Sequence, residues 1–194
     1  MRSRLVLVTM AIVIGVAAVA SATSCGDSHD GEKAEMAEGM EMKMPFGGDE
    51  DVAFAHSLWA AMDGYQDWMM KSEIMQGRSP HGMFVRLYYN IVNIDGAPYH
   101  VVVKDNYGGE GVTLEMVKAA PADYLMAVTP MVQREAGYDD DNRNWFYAKF
   151  GPDGVIDKND EKMSLAGRVA KGMPTGCIAC HANAADGDYL FAND

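Results

Sequence analysis

The stretch MFVRLYYNIVNIDGAPYHVVVK, residues 83–104, decides the fold class. Two runs rich in β-branched and aromatic residues, 83–94 and 99–104, lie on either side of the turn sequence DGAP. This arrangement predicts two antiparallel strands joined as a hairpin. Because the side chains of a strand alternate between its two faces, His100 and Lys104 are expected on the same face.

The segments around this hairpin complete an α+β pattern. Apolar residues at spacings of three and four, from Phe54 to Trp68, predict an amphipathic helix that starts near Val52. A second short helical pattern runs from Asn159 to Gly172. We therefore predict an antiparallel β-sheet with an N-terminal amphipathic helix and a C-terminal helical segment. Strand composition recurs in VTLEMV (112–117), YLMAVTPMV (124–132) and NWFYAKF (144–150).

The start of the chain predicts export. Arg2 and Arg4 precede an apolar stretch, and residues 1–24 have the character of a signal peptide. The small residues before Cys25 resemble a bacterial lipobox, which implies cleavage before Cys25 and lipidation of that residue. A plain secretory signal that leaves Cys25 free is the alternative. We expect a periplasmic or cell-surface lipoprotein that a lipid anchor holds on a membrane.

Residues 25–51 predict a flexible linker, and residues 52–194 the folded domain. The linker has nine acidic residues against two lysines and no aliphatic periodicity, so it buries too little apolar surface to fold. Its methionines and His29 would also suit Cu(I), although a low-complexity linker is the simpler interpretation. The net charge of −12 argues against nucleic acid as a partner, because a phosphate backbone needs a basic surface.

The two cysteines of the predicted domain form the motif Cys177-x-x-Cys180-His181. This spacing is the attachment signature of c-type haem. Thiols three residues apart share one side of a helical turn, where they can add to the two vinyl groups of a porphyrin. The adjacent His181 can then bind the iron as its proximal ligand. We expect one covalent c-type haem in a C-terminal helical attachment segment.

Three other uses of two nearby cysteines remain as alternatives. A structural zinc site would need four ligands, and the motif supplies three. A thioredoxin-type redox pair would need a βαβ setting, whereas this pair follows the last strand. A disulfide is compatible with export but leaves His181 unexplained.

Four stretches resemble the cytochrome P-460 family, which includes the cytochromes c′-beta. GCIACHANAADGDYLF (176–191) looks like the terminal signature of that family, in which an Asp-aromatic-x-Phe run follows the haem motif. The resemblance covers roughly residues 52–194. The other similar stretches are NRNWFYAKFGPDG (142–154), PYHVVVKDNY (98–107) and HGMFVRLYYN (81–90).

The resemblance implies a haem protein built around an antiparallel sheet, with a proximal histidine and a distal side that is often open. Family members bind or oxidise small nitrogen species, notably hydroxylamine and nitric oxide. In some of them a lysine is cross-linked to the porphyrin. Lys104 occupies the matching Val-Lys-acidic position, with Asp105 where a glutamate is expected. The resemblance also implies a homodimer.

Strand alternation adds candidates for the haem pocket. If Lys104 faces the haem, His100 is expected to face it as well, with a surface or core histidine as the alternative. Arg86 could pair with a haem propionate or, alternatively, with a charge on the neighbouring strand. His81, in the turn-like SPHG, could approach the haem, with a loop histidine whose hydrogen bonds are satisfied as the simpler interpretation. The methionines are expected to fill the core, and none can be assigned as a sixth iron ligand.

Together these observations predict an exported mono-haem cytochrome. It would bind or oxidise hydroxylamine or nitric oxide at an open iron and pass electrons to an exported redox partner, which would make it an oxidoreductase for these compounds. The alternatives are a six-coordinate electron carrier and a haem-based gas sensor or scavenger. No catalytic residue can be assigned, and Asp105 and Glu110 are only nominal candidates for a proton-transfer role.

Overall fold

The computed structural model of the chain describes residues 45–185 and 187–191. The predicted signal peptide, Cys25 and most of the predicted linker lie outside these residues. Within them the helices are α1 (Asp49–Ala61), α2 (Leu114–Ala119) and α3 (Cys177–His181). The strands are β1 (Met70–Lys71), β2 (Met75–Gln76), β3 (Phe84–Ile94), β4 (Ala97–Tyr107), β5 (Leu125–Gln133), β6 (Trp145–Ala148) and β7 (Ala166–Gly167).

These seven strands form one antiparallel sheet in the order β1-β3-β4-β5-β6-β7, with β2 also paired to β3. The α+β class is confirmed, with a helix before the sheet and a helical segment after it. No helix in the described part of the chain has the length and apolar composition that crossing a membrane requires.

The predicted hairpin is formed by β3 and β4, the two longest strands. Ile94 pairs with Ala97, so Asp95 and Gly96 make a two-residue turn. Both turn residues have positive φ, at 52° and 85°, which a tight hairpin turn that follows the strand twist requires. Glycine adopts this conformation without steric cost, and aspartate tolerates it better than most residues.

The two faces of the sheet have different coverings. On one face α1 contributes Ala55 and Leu58 to a core with Tyr88, Val103 and Phe146 from the strands. Full burial of a large apolar side chain of this kind contributes about 1.5–3 kcal/mol. The other face carries the alternate residues of the same strands and forms the wall of a cavity, which α3 closes from the side.

The folded part starts earlier than the predicted boundary at residue 52. Helix α1 begins at Asp49, and Phe46 is buried beside the last strand, where Gly47 N–H donates to the carbonyl of Ala166 at 2.7 Å. The helix also ends earlier than its apolar spacing predicts. Gly64 adopts a positive φ of 67°, so Tyr65 lies in a separate turn of 3₁₀-helix. A further 3₁₀ turn spans Pro121–Tyr124, and another Asp140–Asn142.

Two of the predicted elements are wrong. VTLEMV is not a strand, because the Thr113 hydroxyl accepts a hydrogen bond from Met116 N–H and caps helix α2. The segment 159–172 is not a helix. The Asn159 side chain accepts from Met163 N–H at 2.8 Å and closes a turn, and the chain then returns along itself into β7. In both segments a hydrogen bond from the backbone to a short polar side chain sets the local conformation, although the neighbouring residues favour another one.

Candidate functional site

Helix α3 presents the cysteine motif to the cavity. Gly176 precedes the helix with a φ of 123°, a conformation that glycine adopts most readily. Cys177, Cys180 and His181 are related as i, i+3 and i+4, so the helix places all three on one side. Both thiols are free, and burial raises the pKa of Cys177 to about 11. The motif therefore presents the protonated thiol of Cys177, the exposed thiol of Cys180 and the imidazole of His181 to the same cavity.

The aromatic run after the motif fixes the orientation of His181. The Nδ1 atom of His181 lies 2.6 Å from the carbonyl oxygen of Tyr189. A carbonyl can only accept, so Nδ1 carries the proton and Nε2 keeps its lone pair. Residue 189 is itself held, because its hydroxyl donates to Asn142 Oδ1 at 3.2 Å. The ring of Phe191 lies 5.4 Å from the ring of His181 between centroids.

The cavity has a volume of about 1050 Å³ and is mainly apolar. This volume lies slightly above the range of about 300–1000 Å³ that small-molecule pockets usually have, and a macrocycle of porphyrin size needs such a large cavity. The sheet supplies one wall through Leu87, Val102, Met131 and Tyr147, and the motif of α3 supplies another.

Polar groups line the cavity at a few places. Lys104 lies in the wall beside Val102 and is half-buried, so the pKa of its ammonium group is lowered by desolvation. Lys149 also lines the cavity and pairs with Asp157 at 2.6 Å. The Tyr147 hydroxyl is buried, and no hydrogen-bond partner for it is found among the described residues. Burial raises its pKa, so it stays protonated and can donate.

These groups fit a haem. Its ring needs an apolar slot of this size, and its propionates need cations and hydrogen-bond donors. Lys104, Lys149 and the orphaned hydroxyl of Tyr147 are such groups. Among the described residues, no group of three or more His, Cys, Asp or Glu side chains that could hold a metal ion is found.

His81 also lines the cavity, on a loop that precedes β3. Its Nδ1 atom lies 3.0 Å from Asn106 Oδ1, and its ring lies 6.2 Å from the ring of His181 between centroids. Burial, with a contribution from the charge of Lys104, lowers the pKa of His81 to about 4, so the imidazole is neutral at physiological pH.

Two predicted pocket residues lie elsewhere. His100 shares a strand face with Lys104, as predicted, but it is four residues nearer the hairpin turn, exposed to solvent and away from the residues that line the cavity. Arg86 lies opposite Asp105 in the strand register and on the face that α1 covers, together with Tyr88. Neither residue is among those that line the cavity.

Asp105 belongs to the opposite face as well. Its side chain is fully buried and accepts hydrogen bonds from the hydroxyls of Tyr65 at 2.5 Å, Tyr88 at 3.1 Å and Tyr107 at 2.9 Å. Gln66 adds an amide donor at 3.2 Å. The carboxylate is thus the centre of a polar network in the core and not a group of the cavity. Glu110 is exposed and does not line the cavity either.

The family follows from a comparison with known families. The model of the family described as Cytochrome P460 matches residues 62–192, about two thirds of the chain. The chain belongs to the cytochrome P460 family. It is therefore a haem cytochrome, since the family binds haem c. No curated protein and no solved structure matches the chain.

Several residues that line the cavity were not predicted from the sequence. For His81 an approach to the haem was the second interpretation after a loop histidine, and neither Tyr147 nor Lys149 was singled out. The methionines were expected in the core, yet Met83 and Met126 are about half exposed and line the cavity mouth. Strand alternation could have found Tyr147, because β6 alternates between the core residue Phe146 and the cavity. No local signal identifies His81, since its partner Asn106 is distant in sequence.

Proposed function

We propose that this chain is an exported mono-haem c-type cytochrome that binds small nitrogen compounds at its iron. One observation carries the proposal. Helix α3 presents the thiols of Cys177 and Cys180 and the lone pair of His181 Nε2 to a single cavity large enough for a porphyrin. The thiols would add across the two vinyl groups, and His181 would be the proximal ligand.

The chain's own residues would hold and orient the group. Lys104 and Lys149 would pair with the propionates, and the Tyr147 hydroxyl would donate to one of them. The Tyr189 carbonyl would keep the His181 ring in the required tautomer. The haem itself supplies a redox-active iron with a coordination position for a small ligand.

Hydroxylamine and nitric oxide are the proposed ligands. The support for both comes from the family membership, and the apolar lining also suits nitric oxide, which is small and weakly polar. Oxidation of hydroxylamine to nitric oxide would release one proton with each electron; an exported redox protein would accept the electrons, and a base of the chain would accept the protons. Among the described residues that line the cavity there is no carboxylate, so the base at hand is the neutral imidazole of His81.

Export is proposed from the sequence of residues 1–24, and lipidation from Cys25. The charge of −12 would suit a basic redox partner, because complementary charges accelerate encounter. A homodimer is proposed on the family likeness alone.

The optical spectrum of the purified ferrous protein, recorded with and without nitric oxide, tests the ligand proposal. We expect the Soret and visible bands to shift on addition of nitric oxide, and the ferric bands to shift with hydroxylamine. A six-coordinate spectrum that neither compound changes would overturn the proposal and leave a plain electron carrier.

The proposed contact of Lys104 with the haem has its own test. Mass spectrometry of haem-bound peptides identifies every segment that is covalently attached to the porphyrin. A haem that carries both the Cys177–Cys180 peptide and the Lys104 peptide establishes the cross-link. Haem on the cysteine peptide alone excludes it and leaves Lys104 as a cation in the cavity wall.

A further inference from the structure

Two histidines meet inside the cavity. His81 and His181 belong to opposite ends of the domain, and their ring centres lie 6.2 Å apart with ring planes at 89°. Edge-to-face contact between two rings also occurs at this distance, so the distance alone does not define the pair. The protonation of the ring nitrogens decides what the pair can do.

The hydrogen bonds of Asn106 fix the tautomer of His81. The Nδ2 atom of Asn106 lies 3.0 Å from the carbonyl oxygen of Lys104 and 3.1 Å from that of Ala127. Both carbonyls can only accept, so this atom must be the amide nitrogen and Oδ1 must face His81. Oδ1 accepts from His81 Nδ1 at 3.0 Å, which leaves the lone pair on His81 Nε2.

The two histidines therefore have the same tautomer. Each ring donates its Nδ1–H to a fixed oxygen, the Tyr189 carbonyl for His181 and the Asn106 amide for His81. Each ring keeps an unprotonated Nε2 in the same cavity. A metal-binding histidine almost always donates its other ring N–H to such an oxygen, which fixes the ring and raises its basicity.

The separation of the rings fits one iron between them. A metal ion bonded to one nitrogen of each of two imidazoles, at roughly 2 Å from each nitrogen, separates the ring centres by about 6 Å. A histidine that only hydrogen-bonds an iron-bound ligand would lie about 2 Å farther away, because the ligand atom and a hydrogen bond come between. The observed 6.2 Å matches direct coordination.

The loop that carries His81 is held against the sheet. A Cβ atom on Gly82 would come within 2.5 Å of the Tyr107 carbonyl oxygen, so this glycine allows a close approach of the loop to β4. Gly77 N–H donates to the Met83 carbonyl at 2.8 Å and closes the base of the loop. His81 thus has a defined position opposite α3.

We propose that His81 is the second axial ligand of the iron in the resting protein, opposite His181, and that a small nitrogen ligand binds by displacing it. This inference rests on the proposed function, since it concerns the same iron. The family resemblance leads one to expect an open coordination position on the iron. According to this inference His81 occupies that position until an external ligand replaces it.

Electron paramagnetic resonance of the full ferric protein, with its haem, tests the proposal. We expect a low-spin signal of the highly anisotropic type, which two imidazoles with perpendicular planes produce. His81→Ala is expected to convert the iron to high spin, and added imidazole is expected to restore low spin in that variant. A far-ultraviolet circular dichroism spectrum equal to that of the wild-type protein shows that the variant is folded. His100→Ala, an exposed change on the face that carries Lys104, is the matched control and should leave the spectrum unchanged.

A second variant probes the tautomer. Asn106→Leu removes the acceptor while His81 remains, and we expect a mixture of high-spin and low-spin iron. A high-spin wild-type protein whose spectrum His81→Ala does not alter would overturn the inference.

The proposed function fails separately, if nitric oxide binds neither to the wild-type protein nor to the His81→Ala variant. If both proposals hold, nitric oxide binds faster to His81→Ala, because no internal ligand has to leave.

Discussion

The Nδ1 atom of His181 donates a hydrogen bond to the carbonyl of Tyr189 at 2.6 Å, so the run after the cysteine motif orients the imidazole inside the motif. The run is attached at two further points. Trp145 Nε1 donates to the Asp188 carbonyl at 2.9 Å, and the Tyr189 hydroxyl reaches Asn142. The aromatic run is therefore connected both to His181 and to the elements that carry Trp145 and Asn142.

Loss of the Tyr189 carbonyl should change the reduction potential of the haem, because this carbonyl accepts the hydrogen bond of the proximal histidine. A chain that ends at Asp188 lacks the acceptor for His181 Nδ1, and we expect a higher reduction potential because the imidazole becomes a weaker donor. Potentiometric titration of the purified protein measures this shift. Phe191→Ala in the full chain keeps the carbonyl and removes only the ring contact, so it serves as the control. Equal potentials in the shortened chain and the full chain would contradict the role given to residue 189.

Asp105 should be a major contributor to stability. Asp105→Ala leaves the buried hydroxyls of Tyr65, Tyr88 and Tyr107 without their common acceptor. Each unsatisfied buried group costs about 1–3 kcal/mol, so we expect the free energy of unfolding to fall by more than about 2 kcal/mol. Denaturant unfolding of the haem-loaded protein measures it. Asp95→Asn, an exposed change in the hairpin turn, should shift the midpoint little. A comparable effect of both changes would be inconsistent with the network.

Lys104 should raise the reduction potential of the haem through its charge. Lys104→Met removes a half-buried cation from the cavity wall, and we expect a lower potential, because a nearby positive charge favours the ferrous state. The matched control is Lys118→Met, an exposed change on α2 and outside the cavity lining. A Lys104→Met potential equal to that of the control would mean that this ammonium group does not approach the haem.

Much of the architecture could be predicted because its signals are local. The hairpin follows from two β-branched runs around an Asp-Gly turn, and the cysteine motif carries its chemistry within five residues. The errors arose where one side chain decided the backbone. The hydroxyl of Thr113 turns a strand-like segment into α2, and the amide of Asn159 replaces a predicted helix by a turn.

The site was predicted less completely, because its residues meet only in the folded chain. Alternation placed His100 and Lys104 on one face correctly, yet it could not show that the cavity ends before His100. Similarly, Asp105 looked like a candidate acid, but its position one residue after Lys104 turns it into the core. The partnership of His81 with Asn106 spans 25 residues, and no periodicity reveals it.

The intact mass of the matured and then denatured protein tests the central claim most directly. The account predicts that the wild-type polypeptide carries the mass of one haem and that the double variant Cys177→Ala, Cys180→Ala carries none. The cavity remains in the double variant, so any haem bound there would be lost on denaturation. A wild-type polypeptide without added haem, or a double variant that retains covalent haem, would contradict the assignment of Cys177 and Cys180 as the attachment site.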